Sequence, residues 1–220
     1  MRLMKRASSG VLVSVVAAAT VAAMSAAPAM ASTTLTAKVS GGGSITATAS
    51  KTVLSDNGVS VTCTTKGSTA ASKATGSIPN GTHKGASPVK VGTSTKLSFG
   101  NCSGPLGAVK TKVEALPYSI NVDSKTTSKG DTDGIISGVK VAVSMTGCSF
   151  TVTGSSPGFY SNSKHTLNMT TTSKLPTKPL NSAALTVSGV NGCAGLVKDG
   201  DHPTYVSTYT VSRKATIKVT

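Results

Sequence analysis

The chain has 220 residues, a formal net charge of +15, 3% aromatic residues, no Trp and one glutamate, Glu114. Only 13% of its residues are charged, too few for the Glu- and Lys-rich outer faces that surface helices need, so a helical bundle is excluded. A lone glutamate likewise excludes a glycosidase built on a Glu pair.

Residues 1–31 read as a signal peptide. Arg2, Lys5 and Arg6 form a positive start, an apolar run covers residues 11–24, and Ala29-Met30-Ala31 is a small-residue cleavage signature before Ser32. The run is short for a bilayer span. No adjacent arginine pair marks twin-arginine export, and Ser32 offers no thiol for a lipid. The expectation is a single all-β domain over residues 32–220, secreted and extracellular, with no transmembrane anchor after processing. Loss of the three leader cations leaves the mature chain at +12.

From residue 35 onward the dominant pattern has period two, the repeat of strands. Leu35, Ala37 and Val39 share a face, followed after a Gly-rich break by Ile45, Ala47 and Ala49. Next come Val59, Val61 and Cys63, then Leu97 and Phe99, then Tyr118, Ile120 and Val122. Val139, Val141, Val143 and Met145 form the clearest alternation, with Phe150 and Val152 after it. Leu167 with Met169, Leu185 with Val187, Tyr205 to Val211, and Ala215, Ile217 and Val219 complete the series. Roughly ten short strands separated by turn residues predict a sandwich or a barrel. Residues 123–134 read as a polar, turn-rich loop. Residues 170–183 read as a second loop, whose Pro176 and Pro179 do not fit a central strand.

All four cysteines, Cys63, Cys102, Cys148 and Cys193, fall in the mature chain. An even number in an exported protein implies two disulfides, with three possible connectivities. A metal site would need Cys-x-x-Cys spacing or a nearby His, and neither is present. The contexts repeat: VSVTCTT and TGCSFTVT surround the first cysteine of each half, KLSFGNCSG and LTVSGVNGCAG the second. Sequential pairing, Cys63–Cys102 and Cys148–Cys193, makes two related disulfide-closed halves.

The order VTCT (61–64), FGNCSGPLG (99–107), GCSFTVTG (147–154), Tyr160 with Asn162 before Leu167, and GCAGLVKDGD (192–201) resembles secreted all-β proteins of unknown function from high-GC Gram-positive bacteria. LPYSI (116–120) and the Tyr160–Leu167 stretch are also similar to a secreted family described as activators of alkane oxidation. The chain departs from that family at Tyr118, where the family tends to carry Trp. These resemblances imply secretion and an all-β fold, and neither brings a catalytic residue.

Three local patterns invite chemistry. Residues 154–158, GSSPG, match G-x-S-x-G around Ser156, and Asp199 or Asp201 with His202 completes a Ser-Asp-His order. No helix pattern follows Ser156 to build an oxyanion hole, so a hairpin turn is the preferred reading. GDTDG (130–134) resembles part of a calcium loop. Aligning Asp131 and Asp133 puts Lys129 and Lys140 where carboxylates belong, so it reads as a polar turn. KDGDH (198–202) gathers Asp199, Asp201 and His202. Only His83 and His165 remain as further histidines, and the stretch reads as an Asp-Gly turn. The four tyrosines are expected to pack inward with their hydroxyls at the rim.

The lysines are scattered singly with no aromatic cluster to stack bases, which argues against a specific nucleic-acid site. The charge instead suits anionic cell-envelope polymers. The expected function is therefore a secreted, non-enzymatic β-protein acting at the cell surface or in the extracellular matrix, by envelope association, self-association or surface activity. The alternatives are an extracellular polysaccharide- or ligand-binding module and, third, a serine hydrolase. No cofactor is implied.

Overall fold

The computed structural model describes residues 33–220, and the signal-peptide reading of residues 1–31 lies outside them. Within them are fifteen strands and two single turns of 3-10 helix, more strands than the roughly ten that alternation implies. The excess comes from segments with little apolar alternation of their own. β5 (Gly81–Ala86) reads GTHKGA and β7 (Cys102–Gly104) is three residues long. Their partners in the sheet hold them extended.

Three long strands organise the molecule: β2 (Gly43–Asp56), β10 (Asp131–Met145) and β11 (Cys148–Ser161). Each changes neighbour part-way along. The first half of β2 pairs with β4 (Ser72–Ile78), which leads through β6 (Val89–Phe99) and β9 (Tyr118–Val122) to the first half of β10. β10 pairs with β11, and the last residues of β11 lead through β12 (Thr166–Met169) and β14 (Thr204–Val211) back to β2. This lower tier is a closed ring of eight antiparallel strands.

The upper tier uses the other halves of the same long strands. There β2 pairs with β3 (Val59–Thr64), which leads through β7 and β8 (Gly107–Val113) to β10. β11 pairs with β13 (Leu185–Gly192). The Val187 N–H then donates to the Asp201 carbonyl and the Gly200 N–H to the Val187 carbonyl, both at 2.9 Å, which ties β13 to the segment entering β14. The fold is thus a two-storey barrel, the alternative among sandwich and barrel that leaves few strand edges unpaired.

β1 (Thr34–Ser40) forms a separate three-stranded sheet with β5 and β15 (Thr216–Val219). Its inner residues Leu35, Ala37, Val39, Ile217 and Val219 join Ala47, Val91, Tyr160 and Val211 in one buried cluster, so this sheet closes the lower end of the barrel. Asn162 fixes β15 in place by acting as a short piece of strand. Its Nδ2 donates to the Ile217 carbonyl and its Oδ1 accepts from the Ile217 N–H, each at 2.8 Å.

Both disulfides are formed, Cys63–Cys102 and Cys148–Cys193, and all four cysteines belong to the upper buried cluster. Each closes a neck. After β3 the chain leaves the upper tier to build β4, β5 and β6, and returns at Cys102, directly opposite Cys63. After β11 it leaves to build β12 and the loop that follows, and returns through β13 to Cys193. The doubled cysteine context therefore marks two chain excursions, one of three strands and one of a single strand. Asn101, beside Cys102, has φ of 51°, and Gly192, beside Cys193, has φ of 76°. These left-handed positions explain why Asn and Gly stand there.

Candidate functional site: an apolar cavity inside the barrel

Alternation along the walls sends small aliphatic side chains inward, and they do not fill the space. A cavity of about 150 Å³ runs between the two tiers. Ile45, Ala74, Ile120, Ile136, Leu167 and Met169 line its lower part, and Leu54, Val61, Val141, Val143, Val152 and Leu185 its upper part. With 3% aromatic residues and no Trp, the chain has few side chains large enough to fill the centre of an eight-stranded barrel. Such barrels are just wide enough either to be packed by side chains or to hold one small ligand.

The polar groups in this wall are hydroxyls. The hydroxyls of Tyr205 and Tyr209 are 2.6 Å apart, and that of Ser72 is 2.8 Å from Tyr209. Burial pushes Tyr205 well above the usual tyrosine range, with the adjoining Tyr209 adding to the shift, and burial raises Tyr209 as well. Both rings therefore stay protonated hydrogen-bonding groups. Tyr118, 1% exposed, packs its ring into the wall with its hydroxyl 2.5 Å from the Lys140 carbonyl, and it accepts from the Lys140 N–H at 3.1 Å. Tyr160 donates to the Ala215 carbonyl at 2.8 Å. The tyrosines pack inward as expected, but these hydroxyls are bonded within the protein and do not sit at a wet rim.

Ser156 carries the one fully buried hydroxyl of this wall that is left without a partner. It is 4% exposed and lines the cavity, and its Oγ has no hydrogen-bond partner. The expected hairpin turn at residues 154–158 is not present, because GSSPG lies inside β11, paired with β10 throughout. The reason is tertiary. These residues sit where β11 passes from β13 to β12, with the Ser155 N–H bonded to Ala184 and the Pro157 carbonyl accepting from Thr170. Pro157 lacks an N–H at the one place where that side of the strand changes partner. Gly154 has φ of 119°, and a Cβ there would collide with the Ala184 carbonyl.

No base reaches Ser156. His202 Nδ1 is instead 3.0 Å from the Leu185 carbonyl. Asp199 accepts from the Val190 N–H at 3.0 Å and Asp201 from the Lys198 N–H at 2.7 Å, so KDGDH is a capped turn. Asp56, which sequence reasoning did not connect to this stretch, comes beside Asp201 and His202. Burial, then the like charge of Asp201, raises its carboxyl. His83 and His165 bond elsewhere, to Pro79 and toward Tyr160. Among the described residues no three His, Cys, Asp or Glu side chains gather as a metal cluster.

The polar turn expected at GDTDG also differs. The turn ends at Gly130, Asp131 opens β10, and Asp133 is a buried strand residue at 1% exposure. The loop expected over residues 170–183 is a strap with one 3-10 turn, Thr172–Lys174.

Every described lysine is exposed. Lys112 and Lys140, both paired with Glu114 at 3.2 and 3.5 Å, make the only ion pairs among the described residues. Comparison with family models, curated proteins and solved structures finds no match.

Proposed function

We propose that this protein is a secreted, non-enzymatic binding module that takes a small, largely apolar molecule into its barrel. The observation that carries this reading is the largely apolar cavity of about 150 Å³ with the fully buried, unpartnered hydroxyl of Ser156 in its wall. Apolar cavities of about this size stay dry and accept benzene-sized molecules. The solvation lost by Ser156 is recovered only by a guest that brings its own hydrogen-bonding group, so a short-chain alcohol or aldehyde fits better than a plain hydrocarbon.

Binding rather than catalysis is favoured because Ser156 has neither a base nor an oxyanion-stabilising helix. The test is titration with pentan-1-ol and with pentane, read by intrinsic tyrosine emission, which no Trp obscures. Ser156→Ala should weaken pentan-1-ol by about fivefold, the worth of one neutral hydrogen bond, and leave pentane unchanged. Equal losses for both would remove the role given to Ser156.

A second reading concerns the outer surface and rests on its lysines, almost all unpaired and facing outward. They support loose electrostatic retention on anionic envelope polymers, a reading in which the binding module works at the cell surface.

A further inference from the structure

Two carboxylates are buried beneath the strap of residues 170–183, on the outer face of the barrel and away from the cavity. Asp123, just after β9, and Asp133, in β10, are backbone neighbours, the Asp123 N–H donating to the Asp133 carbonyl at 2.9 Å. Both side chains are 1% exposed. In a chain with 22 Lys and Arg against 7 Asp and Glu, the two most deeply buried acids have no cationic partner. The ion pairs among the described residues belong to Glu114.

The groups that do face them are backbone and amide N–H donors and the hydroxyls of Ser87 and Thr177. Asp123 accepts from the Ser87 hydroxyl at 2.7 Å, from the Asn181 N–H at 3.0 Å and from the Asn181 side-chain amide. Asp133 Oδ2 accepts from the Thr177 N–H at 3.0 Å and from the Thr177 hydroxyl, which itself lies 2.9 Å from Ser124 Oγ. Asp133 Oδ1 is buried with no partner at all.

We propose that Asp123 and Asp133 bind a hard divalent cation, Ca²⁺ in particular, which locks the strap onto the barrel. The unpartnered Oδ1 supplies a free carboxylate ligand, Asp123 a second, and the hydroxyls of Ser87 and Ser124 further oxygens, with water completing the shell. No thiol or imidazole is present to favour a soft metal. Two buried negative charges side by side need a compensating positive one. The strap gains most. Thr177 and Asn181 are its polar anchors on the barrel, and its Leu180 remains 50% exposed.

The test uses the purified mature chain, stripped with a chelator and titrated with Ca²⁺, with Mg²⁺ as comparison. Calorimetry should show one site, and thermal unfolding should move upward with Ca²⁺ concentration. Trypsin cleavage after Lys174, in the strap, should slow by about tenfold when Ca²⁺ is ten times its dissociation constant. Asp133→Asn, which keeps the shape and removes the charge, should fold and lose all three responses. Absence of heat, thermal shift and protection in the wild-type chain would overturn the site. A full Ca²⁺ response in Asp133→Asn would overturn the assignment to these residues. The outcome is independent of whether the cavity takes a guest.

Discussion

The hydroxyls of Tyr205 and Tyr209 are held 2.6 Å apart inside the barrel, and Ser72 extends the chain of hydrogen bonds by 2.8 Å. Tyr205 and Tyr209 lie four residues apart on β14, so their side chains leave the same face of one strand, and Ser72 reaches them from β4. Tyr209 is the middle member. Replacing it with Phe leaves the hydroxyls of Tyr205 and Ser72 each short of a partner, so Tyr209→Phe should cost about 1–3 kcal/mol. Urea unfolding of the variant measures this. A cost near zero would mean that water reaches the network.

The two disulfides close necks through which the chain leaves and re-enters the upper tier. Removing Cys63–Cys102 or Cys148–Cys193 by paired Ala substitution should each cost about 2–5 kcal/mol. Amide exchange should rise first in the excursion that the missing bond closed: β4 to β6 in one case, β12 and the strap in the other. Uniform loosening would contradict the neck assignment.

Asn162 substitutes for a strand residue against Ile217. Asn162→Leu removes both side-chain bonds while keeping similar bulk, and leaves the Ile217 N–H and carbonyl each without that partner. Amide exchange at Ile217 and Val219 should accelerate, with a stability loss of about 1–3 kcal/mol. Unchanged exchange at Ile217 would show that β15 is held by packing alone.

Retention on envelope polymers, as proposed, is electrostatic, because lysines act as point charges and not as shaped forks. Co-sedimentation with isolated cell walls should fall steeply with salt, as the Debye length shrinks from about 10 Å at 0.1 M to about 3 Å at 1 M. Charge reversal at Lys125, Lys129 and Lys140 together should reduce it, and Ser156→Ala should not. Salt-insensitive binding would point to a shaped site on the surface.

The β class, the inward-packed tyrosines and the capped KDGDH turn were legible in the sequence because each depends on local pattern. Period-two alternation survives any topology. What stayed hidden was tertiary. GSSPG has the composition of a turn, and only pairing with β10 across its whole length keeps it extended and turns Ser156 into the cavity. GDTDG looks equally solvated, yet Asp133 is buried because the strap, about forty residues further on, folds over it. The barrel itself depends on three long strands changing partners midway, and only in β11 does a residue, Pro157, mark where the change occurs, in a stretch whose composition reads equally as a turn.

The central claim is that the interior accepts a guest, and the most direct measurement compares the wild-type chain with a version whose cavity is filled. Ala74 lines the lower part of the cavity, and Ala74→Phe places a ring in that space. Pentan-1-ol titrated into the wild-type protein should give saturable, one-to-one binding by calorimetry with a matching change in tyrosine emission. In Ala74→Phe, verified as folded by its cooperative unfolding, that binding should be lost. Undiminished binding in the folded, filled variant, or no saturable binding in the wild-type chain, would contradict the account.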